Sequence, residues 1–372
     1  MRIEILQSQI LYIPLRIRFA QSSNSTQTSH TALVRLRTSE GTYGYGEACP
    51  RSYVTQESYA SLVRDLQHIK EALLHQHFEQ IDDIKYWVTE VLPGKVGPST
   101  ICALELALLD AWSKQYRQSL WSYFSTGPDQ GIAYSGICPL APSSALLHQI
   151  QQMGFQEIKL KVDQDLATSL ATIQKIKDHL GPDLPLRVDA NCSWTLNDAF
   201  TQIPALLEAG IYCFEQPFPP ERDGDMMRLC TLYGQNAFFM ADESLLHWQS
   251  AQSIIQKGYF NRFNIKISKN GGIFNSLRIA KLGRQAGLAV QLGAHFGETS
   301  LLSGAGLLLA SANRSLSGYE GGLGTYLLKE DICQPSIQMN QEAQVPSIKN
   351  SLPEFGLAPV CEDRLPAFDT TY

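Results

Sequence analysis

Residues Glu157-Ile158-Lys159-Leu160-Lys161-Val162, an amphipathic run Leu166–Leu180, and then Leu184-Pro185-Leu186-Arg187-Val188-Asp189 form one strand–helix–strand unit. Its recurrence decides the fold. The same texture returns at Ile211–Glu215, Phe238–Asp242, Arg262–Ile267 and Leu288–Leu292, with helical stretches such as Asn197–Ala209 and Gly272–Gln285 between the strands. Strand–helix repetition of this length means a parallel sheet with crossover helices. Six or more units in succession favour a closed α/β barrel over an open sheet. No GxGxxG or P-loop follows any strand, which disfavours the nucleotide-cradling folds.

Upstream of this series the texture differs. Arg2-Ile3-Glu4-Ile5 alternates, Thr31-Ala32-Leu33-Val34-Arg35-Leu36 is a second strand run, and Gly41, Gly44 and Gly46 punctuate a turn into a third. The polar stretch Ser22–His30 reads as a mobile loop of the kind that carries recognition near a pocket. Helical patterns follow at about Glu57–His75 and Pro98–Ser122, and Ile101–Trp112 is apolar on most faces, which predicts deep burial. This part reads as a separate α+β domain, in keeping with roughly two domains for 372 residues.

Composition excludes several functions. Lys and Arg number 30 against 36 Asp and Glu, a formal charge of −6, so the basic footprint of a sequence-independent nucleic-acid binder is absent. No charge run or basic amphipathic stretch points to a membrane surface. The longest apolar tract, Leu301–Ala312, is broken by Ser303, Gly304 and Gly306 and is too short to span a bilayer. Glu4 stands where a signal peptide would place its apolar stretch. The 8 cysteines never approach within CxxC or zinc-knuckle spacing. Together these features predict reduced thiols in a cytoplasmic enzyme.

The strand ends carry the chemistry. In order they read Lys159-Leu160-Lys161, Asp189-Ala190-Asn191, Glu215-Gln216-Pro217, Asp242-Glu243-Ser244 and Lys266-Ile267-Ser268-Lys269. Barrel active sites collect at the C-terminal ends of the strands. A lone charge after an apolar strand is costly unless another group or an ion neutralises it. Asp189, Glu215 and Asp242 lie one unit apart on three successive strands, so their carboxylates converge, and three hard oxygen donors suit Mg²⁺. Lys159 and Lys161 share one strand face and point into the barrel together. Crowded beside a divalent cation, both are expected to have depressed pKa values, as a neutral-amine base requires. Any single strand-end charge is more often a helix cap or a solvated ion pair. An ordered series of them, one per unit and of the right sign, is not accounted for that way.

The ordered set KxK, DAN, EQP, DES and a final lysine ahead of NGG resembles the enolase superfamily, specifically its muconate-lactonizing-enzyme subgroup. Gly44-Tyr45-Gly46-Glu47 is similar to the GxGE of that family's capping domain, and Ala103-Leu104-Glu105 through Leu109-Asp110 to the helix that introduces its barrel. The resemblance implies a modified TIM barrel, (β/α)7β, over residues 126–325, an N-terminal α+β capping domain over 1–125, and a segment 326–372 that returns to the cap. It implies abstraction of the proton α to a carboxylate, through an enediolate stabilised by Mg²⁺, with Mn²⁺ as a substitute. Carried over by position, Asp189, Glu215 and Asp242 hold the metal. Lys161 and Lys266 are the acid–base pair on the two faces of the substrate, and Lys159 neutralises charge and tunes Lys161. Asn191 and Lys269 are implied second-shell or substrate contacts.

The outcome of that half-reaction stays open. Racemisation, epimerisation or cycloisomerisation of a small carboxylate such as an N-acyl amino acid, a dipeptide or a muconate fits, and so does a lyase of the o-succinylbenzoate-synthase type. A barrel that binds metal and carboxylate without turnover is the rival from another class. Dipeptide epimerases of this subgroup typically carry Asp-x-Asp after the last barrel strand, whereas this chain has a single acid, Glu320. Glu320 fits either a cycloisomerase-like arrangement or a loop carboxylate. His295 follows a strand whose predecessor carries Lys266 instead of the aspartate of a His–Asp dyad, so it reads as a hydrogen-bonding pocket residue. Glu298 and Thr299 are expected in the first turn of a helix. Arg51 and Tyr53 would lie over the barrel mouth, Arg51 binding a distal anionic group and Tyr53 closing the pocket, though both also fit a surface role. The resemblance implies a homo-oligomer.

Overall fold

The structure is a computed structural model and describes residues 1–21, 24–321, 327–368 and 370–372. A long antiparallel hairpin, β1 (Ile3–Gln21) and β2 (Asn24–Thr38), continues into β3 (Tyr43–Ala48). The polar stretch expected as a loop is therefore largely strand. Tyr12 pairs with His30, Ile13 with Ser29 and Pro14 with Thr28, and only residues 22 and 23 lie outside the described chain. Polar composition does not tell a ribbon from a loop, and β-branched threonines suit the pleat.

Helices α1 (Tyr59–Leu74), α2 (Ile81–Tyr86), α3 (Pro98–Tyr116) and α4 (Leu120–Phe124) complete the cap. The helical pattern expected to reach Ser122 breaks at Arg117, which adopts φ 50 and ends α3. Every residue of α3 from Ser99 to Ser113 is buried. The helix lies directly on β3, where a Cβ at Gly46 would collide with the Ala103 carbonyl and one at Gly44 with that of Ala107. The glycines of the GxGE motif are thus a backbone-to-backbone contact.

After a short strand β4 (Ile132–Ala133), which lies outside the barrel sheet, the barrel follows in alternation: β5 (Gly136–Cys138), α5 (Ser144–Gln152), β6 (Ile158–Lys161), α6 (Leu166–Leu180), β7 (Leu186–Asp189), α7 (Leu196–Glu208), β8 (Cys213–Glu215), α8 (Asp223–Tyr233), β9 (Phe238–Ala241), α9 (Trp248–Lys257), β10 (Arg262–Lys266), α10 (Gly272–Gln285), β11 (Ala289–Gly293) and α11 (Ser300–Ala312). Strands β5 to β11 form a parallel sheet in sequential order. The segment 317–320 closes it. Leu292 N donates to Gly318 O at 3.1 Å and Glu320 N to Leu292 O at 2.7 Å, while Ser135 N donates to Tyr319 O at 2.9 Å. This segment serves as the last stave of (β/α)7β. It and β5 are too short for periodicity to reveal. The chain then runs through β12 (Gln344–Val345) and α12 (Ile348–Ser351) to β13 (Thr370–Thr371), which pairs with β1. Among the described residues no helix is long and apolar enough to cross a membrane.

Buried carboxylates join cap to barrel. Glu47 accepts from Thr299 N at 3.0 Å, Thr299 Oγ1 at 2.6 Å and Leu302 N at 3.1 Å, so the acid of GxGE caps α11. Glu105 accepts from Ile273 N at 2.5 Å and Phe274 N at 3.3 Å, capping α10. Orphan N–H groups at helix starts need such partners. Gly272 at φ +94 makes room, since a Cβ there would sit 2.5 Å from Glu105 Oε2.

Gly272→Ala combines a left-handed backbone with that collision, and urea unfolding is expected to show a loss of about 1–3 kcal/mol. Burial pushes the Glu105 carboxyl up to about 8, against its Ile273 and Phe274 hydrogen bonds. A raised carboxyl contributes stability that is complete below its unfolded value and lost as pH climbs through the folded one. Melting temperatures across pH 5 to 9 should therefore fall more steeply for the wild type than for Glu105→Gln.

Candidate active site

Each functional side chain stands at the end of a short apolar strand, where the pleat turns alternate residues inward. Lys161 pairs with Asp189 across β6 and β7, and Asp189 with Glu215 across β7 and β8. Asp242 follows β9 and Lys266 ends β10. Strands β6 and β10 are four staves apart in the closed ring, so Lys161 and Lys266 face each other across the mouth, with the acids on the arc between them.

Lys159 Nζ lies 3.4 Å from Asp189 Oδ2, 3.4 Å from Glu215 Oε2 and 2.9 Å from Glu320 Oε2. Arg187 donates to Glu215 Oε2 at 3.0 Å and to Glu157 Oε1 at 2.6 Å, and pairs with Glu320. Asn264 Nδ2 reaches Glu215 Oε1 at 2.8 Å. Asp242 takes Lys266 Nζ at 2.5 Å and Lys269 Nζ at 2.6 Å. Lys161 Nζ donates to Asn191 Oδ1 at 2.9 Å, and Asn191 Nδ2 in turn to Asp189 at 3.2 Å. Asn191 (φ 42), Cys192 (φ 62) and Gln216 (φ 38) all adopt the left-handed region beside these acids. Non-glycine residues held there are strained, and such strain gathers at functional loops.

The two lysines of KxK differ. Burial lowers Lys161, and the Lys159 and Lys266 charges reinforce it against Asp189. Burial would lower Lys159 too, but Glu215, Glu320 and Asp189 outweigh it and hold Lys159 well above its usual value. The expected depression of both lysines thus holds in direction only for Lys161, because Lys159 is the one surrounded by acids. Burial and then Asp189 push Glu215 up to about 8.

The other predicted residues fall into two groups. Tyr53, Asn191, His295 and Glu320 line one cleft together with Lys159, Lys161, Asp189, Asp242 and Lys266. Lys269 and Arg51 do not. Lys269 is fully buried behind Asp242, so it is no substrate contact. Arg51 donates to His30 O at 2.9 Å and Phe296 O at 3.1 Å, strapping the cap to the barrel loop instead of reaching an anion. Glu298 lies ahead of the Thr299 cap and accepts from His295 N at 2.5 Å, so it is not a first-turn acid. Sequence reasoning passed over Arg187 and Glu243. Arg187 shares a strand face with Asp189, a period-two signal that was readable; Glu243, in the cleft beside Asp242, leaves Oε2 unpartnered.

Among the described residues no group of three or more His, Cys, Asp or Glu side chains stands at metal-holding spacing. In this geometry Asp242 pairs with Lys266 and Lys269. The donor chemistry nevertheless fits a hard divalent cation, with Asp189, Glu215 and Asp242 crowded on adjacent stave ends and Glu243 unsatisfied beside them.

The closed barrel, its cap and the charged mouth are those of a barrel enzyme, and its epimerase and racemase relatives make it an isomerase. Residues 144–347 match the family profile described as enolase C-terminal domain-like, and residues 8–124 match the mandelate racemase / muconate lactonizing enzyme N-terminal domain. The chain belongs to this mandelate racemase / muconate lactonizing enzyme family of the enolase superfamily. It is 27% identical over 319 residues to the hydrophobic dipeptide epimerase of Enterococcus faecalis, covering 85% of this chain and 89% of that one. It is 25% identical over 326 residues to the N-succinyl-L-Arg/Lys racemase of Bacillus cereus, covering 86% and 87%. The structure of a dipeptide epimerase from Enterococcus faecalis V583, complexed with Mg and L-Leu-L-Tyr, superposes with a TM-score of 0.80 at 25% identity over 97% of this chain and 99% of that one.

Arg187→Met would strip Glu215 and Glu320 of a buried partner. Removing one member of a buried pair costs about 3–5 kcal/mol, which denaturant unfolding of this variant is expected to show.

Proposed function

We propose that this enzyme racemises or epimerises a small carboxylate by moving the proton on the carbon α to its carboxyl group. The observation that carries the reading is the placement of Lys161 and Lys266 four staves apart on one cleft, with three carboxylates between them. The family relatives, which include dipeptide epimerases and an N-succinyl amino acid racemase, support it.

Deprotonating such a carbon adds a second negative charge to a group that already carries one. Asp189, Glu215 and Asp242 would hold Mg²⁺ or, in its place, Mn²⁺, which would supply the compensating positive charge. Lys161 accepts the proton at Nζ on one face, its approach directed by Asn191. Lys266 returns a proton from the opposite face, which inverts the centre. Lys159, flanked by Asp189, Glu215 and Glu320, stays cationic and adds positive charge at the base of the cleft. Tyr53 and Val54 from the cap line the mouth of the cleft. The same reading divides the chain into a cap (1–125), a barrel (126–325) and a returning segment (326–372), supported by β13 pairing on β1.

Mass spectrometry of candidate carboxylates incubated in D₂O tests the reading. Wild type is expected to exchange the α-proton of both enantiomers. Lys161→Ala should lose exchange from one hand and Lys266→Ala from the other, each by at least about 10²-fold. Chelation should stop exchange and Mg²⁺ restore it. Loss of water from the substrate would identify a lyase instead, and no exchange across N-acyl amino acids, dipeptides and muconates would remove the proposal.

A further inference from the structure

Gln216 is none of the groups that the proton transfer uses, yet it is only 1% exposed and lies between two of the acids at the mouth. It directly follows Glu215, and its side chain crosses from the end of β8 to the end of β9. Its Oε1 accepts from Asp242 N at 3.0 Å and from Ser244 N at 3.1 Å, so the backbone on both sides of Glu243 wraps around one oxygen. Its Nε2 donates to Phe218 O and to Ser244 Oγ, each at 2.7 Å. Both acceptor sites and both donors of the amide are thereby filled, and two N–H groups against one carbonyl fix its orientation.

The main chain of the same residue ties in the third acid-bearing stave. Gln216 N donates to Met240 O at 3.0 Å, and Gln216 O accepts from Cys192 N at 2.9 Å, in the loop that follows Asp189. The ends of β7, β8 and β9, which present Asp189, Glu215 and Asp242, therefore meet at one residue. Its backbone is unfavourable: φ is 38, and the next residue is Pro217, which pushes its predecessor toward extended conformations. Glycine is the default at such a position. Glutamine carries the strain there while its amide holds Asp242.

Asp242 is also pulled from the other side. Lys266 and Lys269 take its carboxylate at 2.5 Å and 2.6 Å, and Lys269 Nζ holds its carbonyl at 2.6 Å. Those contacts draw it toward β10 and the loop beyond. The Gln216 amide draws its backbone the opposite way, toward β8 and Glu215.

We propose that Gln216 is a positioning residue, holding Asp242 against Glu215 so that the two carboxylates can share one divalent cation. The proposal rests on the reading above in which Asp189, Glu215 and Asp242 would hold that cation. It assigns Gln216 to cation affinity and not to proton transfer, since its side-chain bonds reach neither Lys161 nor Lys266.

Mn²⁺ binding to the full-length enzyme, followed by the electron paramagnetic resonance of the free ion, tests this without a substrate. Gln216→Met keeps the side-chain length and removes all four hydrogen bonds. Its Kd for Mn²⁺ should rise about 10- to 100-fold, the scale on which partners of metal ligands act. At saturating Mg²⁺ its kcat for α-proton exchange should stay within about threefold of wild type, a split that general loss of structure does not give. Ser244→Ala removes one acceptor of the amide and should raise Kd about threefold, the scale of one neutral hydrogen bond. In the Gln216→Met background the same change should add nothing, because the group it acts through is gone. An unmoved Kd in folded Gln216→Met, a loss in kcat as large as that in Kd, or an equal effect of Ser244→Ala in both backgrounds overturns the positioning role and leaves the cation reading standing. Should Gln216→Met not fold, an unmoved Kd in Ser244→Ala overturns it alone. Wild type that binds no Mn²⁺ overturns both.

Discussion

An ionised side chain in a barrel interior survives only if an opposite charge stands within a few ångströms, and everything at this mouth follows from that constraint. Asp189, Glu215, Asp242 and Glu320 are nearly free of solvent, as are Lys159, Arg187, Lys266 and Lys269. Isolated, each would cost several kcal/mol. Together they form one interlocked set in which Lys159 touches three acids and Asp242 two lysines. Lys161 donates to the amide of Asn191, and its charge is disfavoured where its neighbour's is enforced. One strand thereby presents two lysines with opposite tendencies two residues apart.

The same device, a buried carboxylate meeting unpaired N–H groups, holds the two halves of the molecule together. Glu47 and Glu105 come from cap elements and close the starts of barrel helices α11 and α10. Helix α10 begins immediately after the loop that follows Lys266 and carries Lys269, where Lys266 N donates to Asn270 Oδ1 at 2.8 Å. The cap therefore does more than cover the cleft. It pins the backbone from which a mouth lysine projects, and close packing of α3 on Gly44 and Gly46 sets the height at which that happens.

Much of this was legible beforehand. Leu166–Leu180 and Gly272–Gln285 are helical over the spans that periodicity predicts, five barrel strands fall within the apolar runs read for them, and β11 passes its run by one residue, Gly293. Gly136–Cys138 and residues 317–320 were missed because three or four residues carry no period; they are staves only because neighbours pair with them. Residues 24–30 looked like a loop for the converse reason, since their composition is polar while strand pairing with β1 is what makes them a strand. Arg51 looked like an anion site, yet its guanidinium meets two carbonyls from distant segments.

By itself the sequence determined the alternating architecture and which side chains gather at the mouth. Both are local facts: apolar periodicity commits a segment to strand or helix, and a charge that ends an apolar strand must find compensation. Only the tertiary structure decided which charge compensates which. Arg187 meets Glu320 from 133 residues away, Asp242 turns to Lys266 and Lys269, and Lys159 remains charged while Lys161 does not favour it. Coulomb energy depends on separations of a few ångströms between segments that the chain order leaves far apart, and closure of the ring is what sets them.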